Sequence, residues 1–294
     1  MDTFQLHDLA KTISPIAVRQ YAATNGWEPI LGSKRRIWLF RHPSENLVQL
    51  QIPMDRDDDT TEAILEVAER LAKADNRTIE SVIEDLASSN SDVLRYRIVS
   101  DDSKGGSISL EGASDLLSGA KQMISAAACS VVNPVTHHPR TDRIDARQLI
   151  QHARMGQTEI GSFVLKILCP LDSAKDSPLL SETQPFTRLV TTLLMRATSN
   201  LINGIEQGTI DSILETQSRV PERPEITSNL CKGLMDIRGE SNSGEIELSI
   251  QWASSMLLPQ PQVPSIIRIP MDYFPEIEKV HRKLRPNMKK DEVT

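Results

Sequence analysis

Aromatic side chains make up 4% of this 294-residue chain: three Trp, three Tyr and five Phe. That is too few for an extended platform on which successive nucleic-acid bases would stack. Cysteine is equally scarce. Cys129, Cys169 and Cys231 are odd in number, far apart and set among apolar neighbours, which excludes a disulfide framework and any metal-ligand spacing. They are expected to be buried thiols of a reduced, cytoplasmic protein. No apolar run approaches the ~18 residues that span a bilayer, and Met-Asp-Thr-Phe-Gln at the start carries no basic leader. No membrane association is expected. Phosphate loops are missing too: Gly32-Ser33-Lys34 lacks the upstream glycine of a P-loop, and there is neither a dinucleotide fingerprint nor a G-x-S-x-G elbow. No cofactor and no metal are therefore expected. An excess of positive charge is also lacking. The formal net charge is -7, so long-range steering towards nucleic acid or anionic lipid is disfavoured, and any such binding needs a local basic patch.

What is present is a succession of clear periodicities. The length suggests two domains or one large one. A short helix over 16–24 ends at Gly26, whose freedom at positive φ suits a helix C-terminus. Two strands follow, joined by a polar turn at 43–46. In the second, Val48, Leu50 and Ile52 alternate with Gln49 and Gln51. Ile64, Leu65, Ala68, Leu71 and Ala72 mark one helical face, and Thr78 is placed to N-cap the next helix. Leu94, Tyr96 and Ile98 alternate as a strand. A turn at 101–106 and a short returning strand at 107–110 lead to a long helix that stops before Asn133-Pro134. A helix over 143–155 and a strand closed by Cys169-Pro170 come next. The longest apolar stripe, Phe186 to Ile205 with Leu193 at its centre, marks a core helix after a loop at 172–184. A proline-containing linker at 217–224 precedes a helix over 226–237. Ile246, Leu248, Ile250 and Trp252 form the cleanest alternation in the chain, and a stiff connection at 259–264 leads to a returning strand at 266–269 and a last helix. The tail from Pro286 is expected to be disordered. Ile52-Pro53-Met54-Asp55, Cys169-Pro170-Leu171-Asp172 and Ile269-Pro270-Met271-Asp272 close three of the strands in the same way. Proline stops strand pairing and aspartate can cap a helix. The pattern predicts an α+β fold of small antiparallel sheets with packed helices in repeated strand-strand-helix units. It divides into an N-terminal module over 1–88, a central domain with the long core helix over 89–216, and a C-terminal strand-strand-helix module with a basic tail over 217–294.

Within the first module, Asn25-Gly26-Trp27 follows a helix. Gly32-Ser33 then precedes basic residues, Phe40-Arg41-His42-Pro43 follows, and the next strand ends at Pro53. Over about 18–71 this resembles the HicA-like toxin ribonucleases, which have a double-stranded-RNA-binding-like fold. The resemblance implies a small antiparallel sheet backed by helices. That family places its catalytic histidine after the Gly-Ser pair, where this chain has Lys34. A lysine of ordinary pKa is a poor base at neutral pH, so the resemblance implies RNA or protein binding more than cleavage.

Three groups of residues carry possible chemistry. Arg19, Lys34, Arg35, Arg36 and Arg41 face one acid, Glu28, within 17–42, a local charge of +5 - 1 = +4. They suit phosphate contacts or the guarding of an exposed strand edge. On an extended segment Lys34 and Arg36 would share a face and Arg35 the other. His137 and His138, with His42, are the candidates for acid-base catalysis, but no third partner stands near them in sequence. The alternative is polar loop residues whose replacement by alanine would be nearly neutral. Lys279, Arg282, Lys283 and Arg285, with His281, Lys289 and Lys290, form a run without acids that suits a helix C-terminus or an anion-binding surface. These features point to a non-catalytic binding or adaptor protein, RNA-associated or a subunit of a bacterial defence or stress complex. Its partner would be a protein or RNA, in a homo- or hetero-oligomer. The alternative is a toxin-like ribonuclease using histidine acid-base chemistry.

Overall fold

Ser14 and Pro15 start the first well-formed helix. The Ser14 hydroxyl accepts from the Ala17 N–H at 3.1 Å, and Pro15 occupies the first turn, where its missing N–H costs nothing. In a computed structural model, which describes residues 3–30, 36–42, 49–55, 59–99, 107–156, 163–171, 184–219, 225–239, 244–253 and 263–286, this helix is α2 (Pro15–Thr24), preceded by α1 (Thr3–Ala10). Gly26 ends it with φ +83°. Then come β1 (Glu28–Pro29), β2 (Ile37–Arg41), β3 (Gln49–Pro53), α3 (Thr60–Ala74) and α4 (Ile79–Ala87), with Thr78 capping α4 through the Ser81 N–H.

The strands form an antiparallel sheet in the order β1-β2-β3. Trp38 pairs with Ile52 and Phe40 with Leu50, and Phe40, Leu50 and Ile52 are buried with Val18, Ile64 and Leu71 of the helices. The strand alternation thus places Leu50 and Ile52 against helices. Val48 and the turn at 43–46 lie outside the described residues.

The remaining elements are β4 (Ser91–Val99), α5 (Leu110–Val132), α6 (Ile144–His152), β5 (Arg154–Met155), β6 (Val164–Pro170), α7 (Phe186–Glu206), α8 (Ile210–Arg219), α9 (Ser228–Arg238), β7 (Glu245–Gln251), β8 (Ile266–Ile269) and α10 (Phe274–Leu284). A second sheet has the order β5-β6-β4-β7-β8. Tyr96 pairs with Leu248 and Leu248 with Ile267, so β7 lies between β4 and β8. The fold is α+β, with antiparallel sheets of three and five strands and more helix than strand. Its contacts fall into two units, Met1–Ser91 with Trp252–Leu258, and Asp92–Gln251 with Pro259–Thr294. Among the described residues no helix is long and apolar enough to cross a membrane.

In the second unit α5 and α9 meet at two glycines. A Cβ on Gly119 would stand 2.4 Å from the Gly233 carbonyl oxygen and 2.6 Å from the Ile237 nitrogen, so only hydrogen fits. Under the sheet, α7 brings Arg188 to Asp92 of β4 at 3.0 Å, with both side chains fully buried. Thr191 donates to the second Asp92 oxygen at 2.6 Å.

Four local expectations need correction. Residues 107–109 form no strand; the Ser109 hydroxyl accepts from the Gly112 N–H at 3.0 Å and starts α5. The helix expected to reach 155 stops at His152, because Arg154 and Met155 pair with Leu168 and Ile167. Residues 217–219 belong to α8 rather than to a linker. Leu193 is only half-buried, while Leu194 is fully buried, because α7 buries a wide face that includes Thr187, Arg188 and Thr191. The expected turn at 101–106, most of the loop at 172–184, residues 220–224 and 259–262, and the tail from 287 lie outside the described residues.

Candidate functional site

The described basic residues of the N-terminal sheet all have partners. Arg41 faces Glu28 across the β1–β2 pair and donates from Nε and Nη2 to one Glu28 oxygen at 2.9 and 2.6 Å. Arg36 lies 3.7 Å from Asp55, an acid beyond the sequence window that gave +4, brought close by β3. The Arg19 guanidinium sits 4.9 Å from the centre of the Trp38 ring. His42 meets the Trp27 ring edge-on, with centroids 5.0 Å apart. Lys34 and Arg35 lie outside the described residues.

The second histidine group is built around Ser228, the first residue of α9. Thr227 caps this helix by accepting from the Leu230 N–H at 3.0 Å. The wholly buried Ser228 donates its N–H to the Thr136 carbonyl at 2.9 Å. Its hydroxyl lies 2.7 Å from His137 Nδ1, and its carbonyl accepts from His281 Nδ1 of α10 at 2.8 Å. Asn229 clamps the backbone of His138 from both sides, accepting from its N–H at 2.8 Å and donating to its carbonyl at 2.9 Å. His138 is buried, with Nε2 2.9 Å from the Ser130 hydroxyl. That hydroxyl donates to the Ala126 carbonyl, so His138 is the donor towards Ser130. Burial holds the His138 pKa below its ordinary value, and the nearby His137 and Arg143 charges add to this. Burial also lowers His137, with Arg285 and His281 contributing.

A serine 2.7 Å from an imidazole has the spacing of an activated nucleophile. Here, however, the serine is sealed from solvent. Among the described hydrogen bonds, no carboxylate orients either loop histidine. The arrangement pins the loop between α5 and α6 to the start of α9, to which His281 also ties α10. The thiols are equally closed off: burial pushes Cys169 and Cys231 up to about 12 and raises Cys129.

Of the C-terminal cations, His281, Arg282 and Arg285 meet at one surface, Lys279 and Lys283 lie outside it, and Lys289 and Lys290 lie outside the described residues. Lys232, Met235, Glu278, His281, Arg282, Arg285 and Pro286 line a groove of about 600 Å³ between α9 and α10. Lys232 is paired with Asp236, and Arg282 with Glu278. On the rest of α10, Lys279 pairs with Glu276, and Lys283 with Asp211 at 2.8 Å. Arg285 has no ion pair among the described residues. Lys232, Ser228 and Asn229 escape a sequence reading. The Thr-Ser-Asn run signals a helix start, but nothing in it announces a loop 91 residues away. Comparison with protein-family models, with curated proteins and with solved structures found no match for this chain.

Proposed function

We propose that this chain is a non-catalytic, cytoplasmic binding protein that holds an acidic segment of a protein partner in the α9–α10 groove. The gathering of Lys232, His281, Arg282 and Arg285 around one groove carries this reading. Three further observations support it. His137, His138 and His281 each spend a ring nitrogen on holding the fold, and no hydrogen bond to a carboxylate orients them among the described residues. Arg36 and Arg41 of the N-terminal sheet already face acids, so fewer of their charges are left for phosphates. Three buried, inert thiols suit a reducing compartment.

The test is fluorescence anisotropy with two labelled probes, a short Glu-rich peptide and an RNA oligomer, at low and high salt. The peptide should bind, weaken with salt, and be lost in the double variant Arg282→Glu with Arg285→Glu. The double variant Lys34→Glu with Arg36→Glu should bind it normally. RNA binding abolished by that second variant instead would transfer the function to the N-terminal sheet and to the RNA reading implied by the HicA-like resemblance.

A further inference from the structure

Resting on that reading, we infer that Arg285, flanked by His281 and His137, is the seat of a single carboxylate of the partner. His281 spends Nδ1–H on the Ser228 carbonyl, and His137 directs Nδ1 at the Ser228 hydroxyl. Neither Nε2 has a hydrogen bond among the described residues. Arg285 lines the same groove as His281, and its charge is felt at His137. The two imidazoles are thus held to one buried residue, His281 shares its groove with Arg285, and none of the three makes an ion pair among the described residues. Glu278, the acid of the groove, is taken by Arg282. The Arg285 charge opposes protonation of His137, and an anion between them removes that opposition.

The charge balance selects the kind of anion. Asp236 and Glu278 offset Lys232 and Arg282, so the groove offers one unpaired full cation. A nucleic-acid backbone gains affinity by neutralising several phosphates at once. One guanidinium fork matches one carboxylate, with two parallel N–H donors to two oxygens. Met235 and Pro286 supply apolar contact for the methylenes of a glutamate side chain.

The experiment has two arms. Anisotropy of the labelled Glu-rich peptide compares the wild type with Arg285→Gln, Arg285→Lys and, as a control on α10 outside the groove lining, Lys283→Gln. In parallel, the imidazole resonances of His137 and His281 are followed by NMR during titration with glutarate and, separately, inorganic phosphate. Arg285→Gln should weaken the peptide about tenfold or more, with Lys recovering part and Lys283→Gln changing little. Glutarate should shift both imidazoles in the wild type and neither in Arg285→Gln. If peptide binds wild type and Arg285→Gln alike, the binding reading stands and the seat at Arg285 falls. If the peptide fails to bind while glutarate gives Arg285-dependent shifts, the seat stands and the protein-partner reading falls. Shifts with phosphate alone overturn the carboxylate assignment, and no shift with either anion, together with no peptide binding, overturns both.

Discussion

At the scale of single residues, burial separates neighbours that the sequence presents as a pair. His137 is half-buried, whereas His138 is buried and donates to Ser130. A loop position therefore does not make His138 dispensable. His138→Ala leaves the Ser130 hydroxyl with one partner fewer and opens a cavity, so stability should fall by about 1–3 kcal/mol in urea unfolding. His137→Ala should cost less. The pH dependence follows from the direction of the shifts. Both imidazoles are held below the ordinary 6.5. As pH falls below 6.5, the unfolded chain takes up protons that the folded chain resists. Their contribution is complete above pH 6.5 and is lost as pH falls through the depressed folded values. His138→Gln should flatten this slope, and an unchanged slope would show that His138 does not set it. Asp92 is a sharper case. Asp92→Ala takes the paired carboxylate from the fully buried Arg188 and one acceptor from Thr191, and should cost about 3–5 kcal/mol. The double change Asp92→Leu with Arg188→Met should recover most of it. A double variant as unstable as Asp92→Ala alone would mean that the pair is not where the loss arises.

At the scale of elements, much was legible wherever one face of a strand or helix decides. The alternations at 50–52, 94–98 and 246–250 are strands, and Pro53 and Pro170 stand last in β3 and β6. Proline works there because it removes a donor that further pairing would need. Asp55 does not cap α3; it answers Arg36. The half-burial of Leu193 has a physical cause. Leu193 fits an apolar stripe, but α7 also buries Thr187, Arg188 and Thr191, and the last two meet Asp92 only after folding. The close approach of α5 and α9 was illegible, since a glycine inside a helix looks like a weakness until its neighbour is known. Gly119→Ala tests it. The atoms that a new methyl group would strike include the Gly233 carbonyl and the Ile237 backbone nitrogen, which cannot rotate away. The helices must separate, and the loss should reach about 3 kcal/mol. Gly26→Ala, where φ is +83° but nothing lies within 4 Å, should cost only about 1 kcal/mol. Equal losses in thermal unfolding of the two variants would contradict the crossing.

At the scale of the whole molecule, chain order and sheet order part company. The strand-strand-helix pattern near the C-terminus reads as self-contained, yet β7 pairs along β4 from Val93 to Val99, and β8 is attached through β7. The residues that complete the sheet arrive more than half a chain after the strand they cover, so no local pattern reveals the dependence. The carbonyls and N–H groups of β4 that face β7 have no replacement partner when β7 is missing, and exposed backbone groups exchange with water. A chain ending at Thr216 lacks β7, β8, α9 and α10, and with them Ser228 and Asn229, which hold the His137–His138 loop. Its Val93–Ile98 amides should lose their slow hydrogen exchange altogether, although β4 and its β6 neighbour are still encoded. Protection should return when residues 217–294 are supplied as a separate chain, because the pairing surface of β4 has not changed. Full protection of β4 in the truncated chain alone would show that the C-terminal strands are an attachment to the sheet and not part of its folding unit.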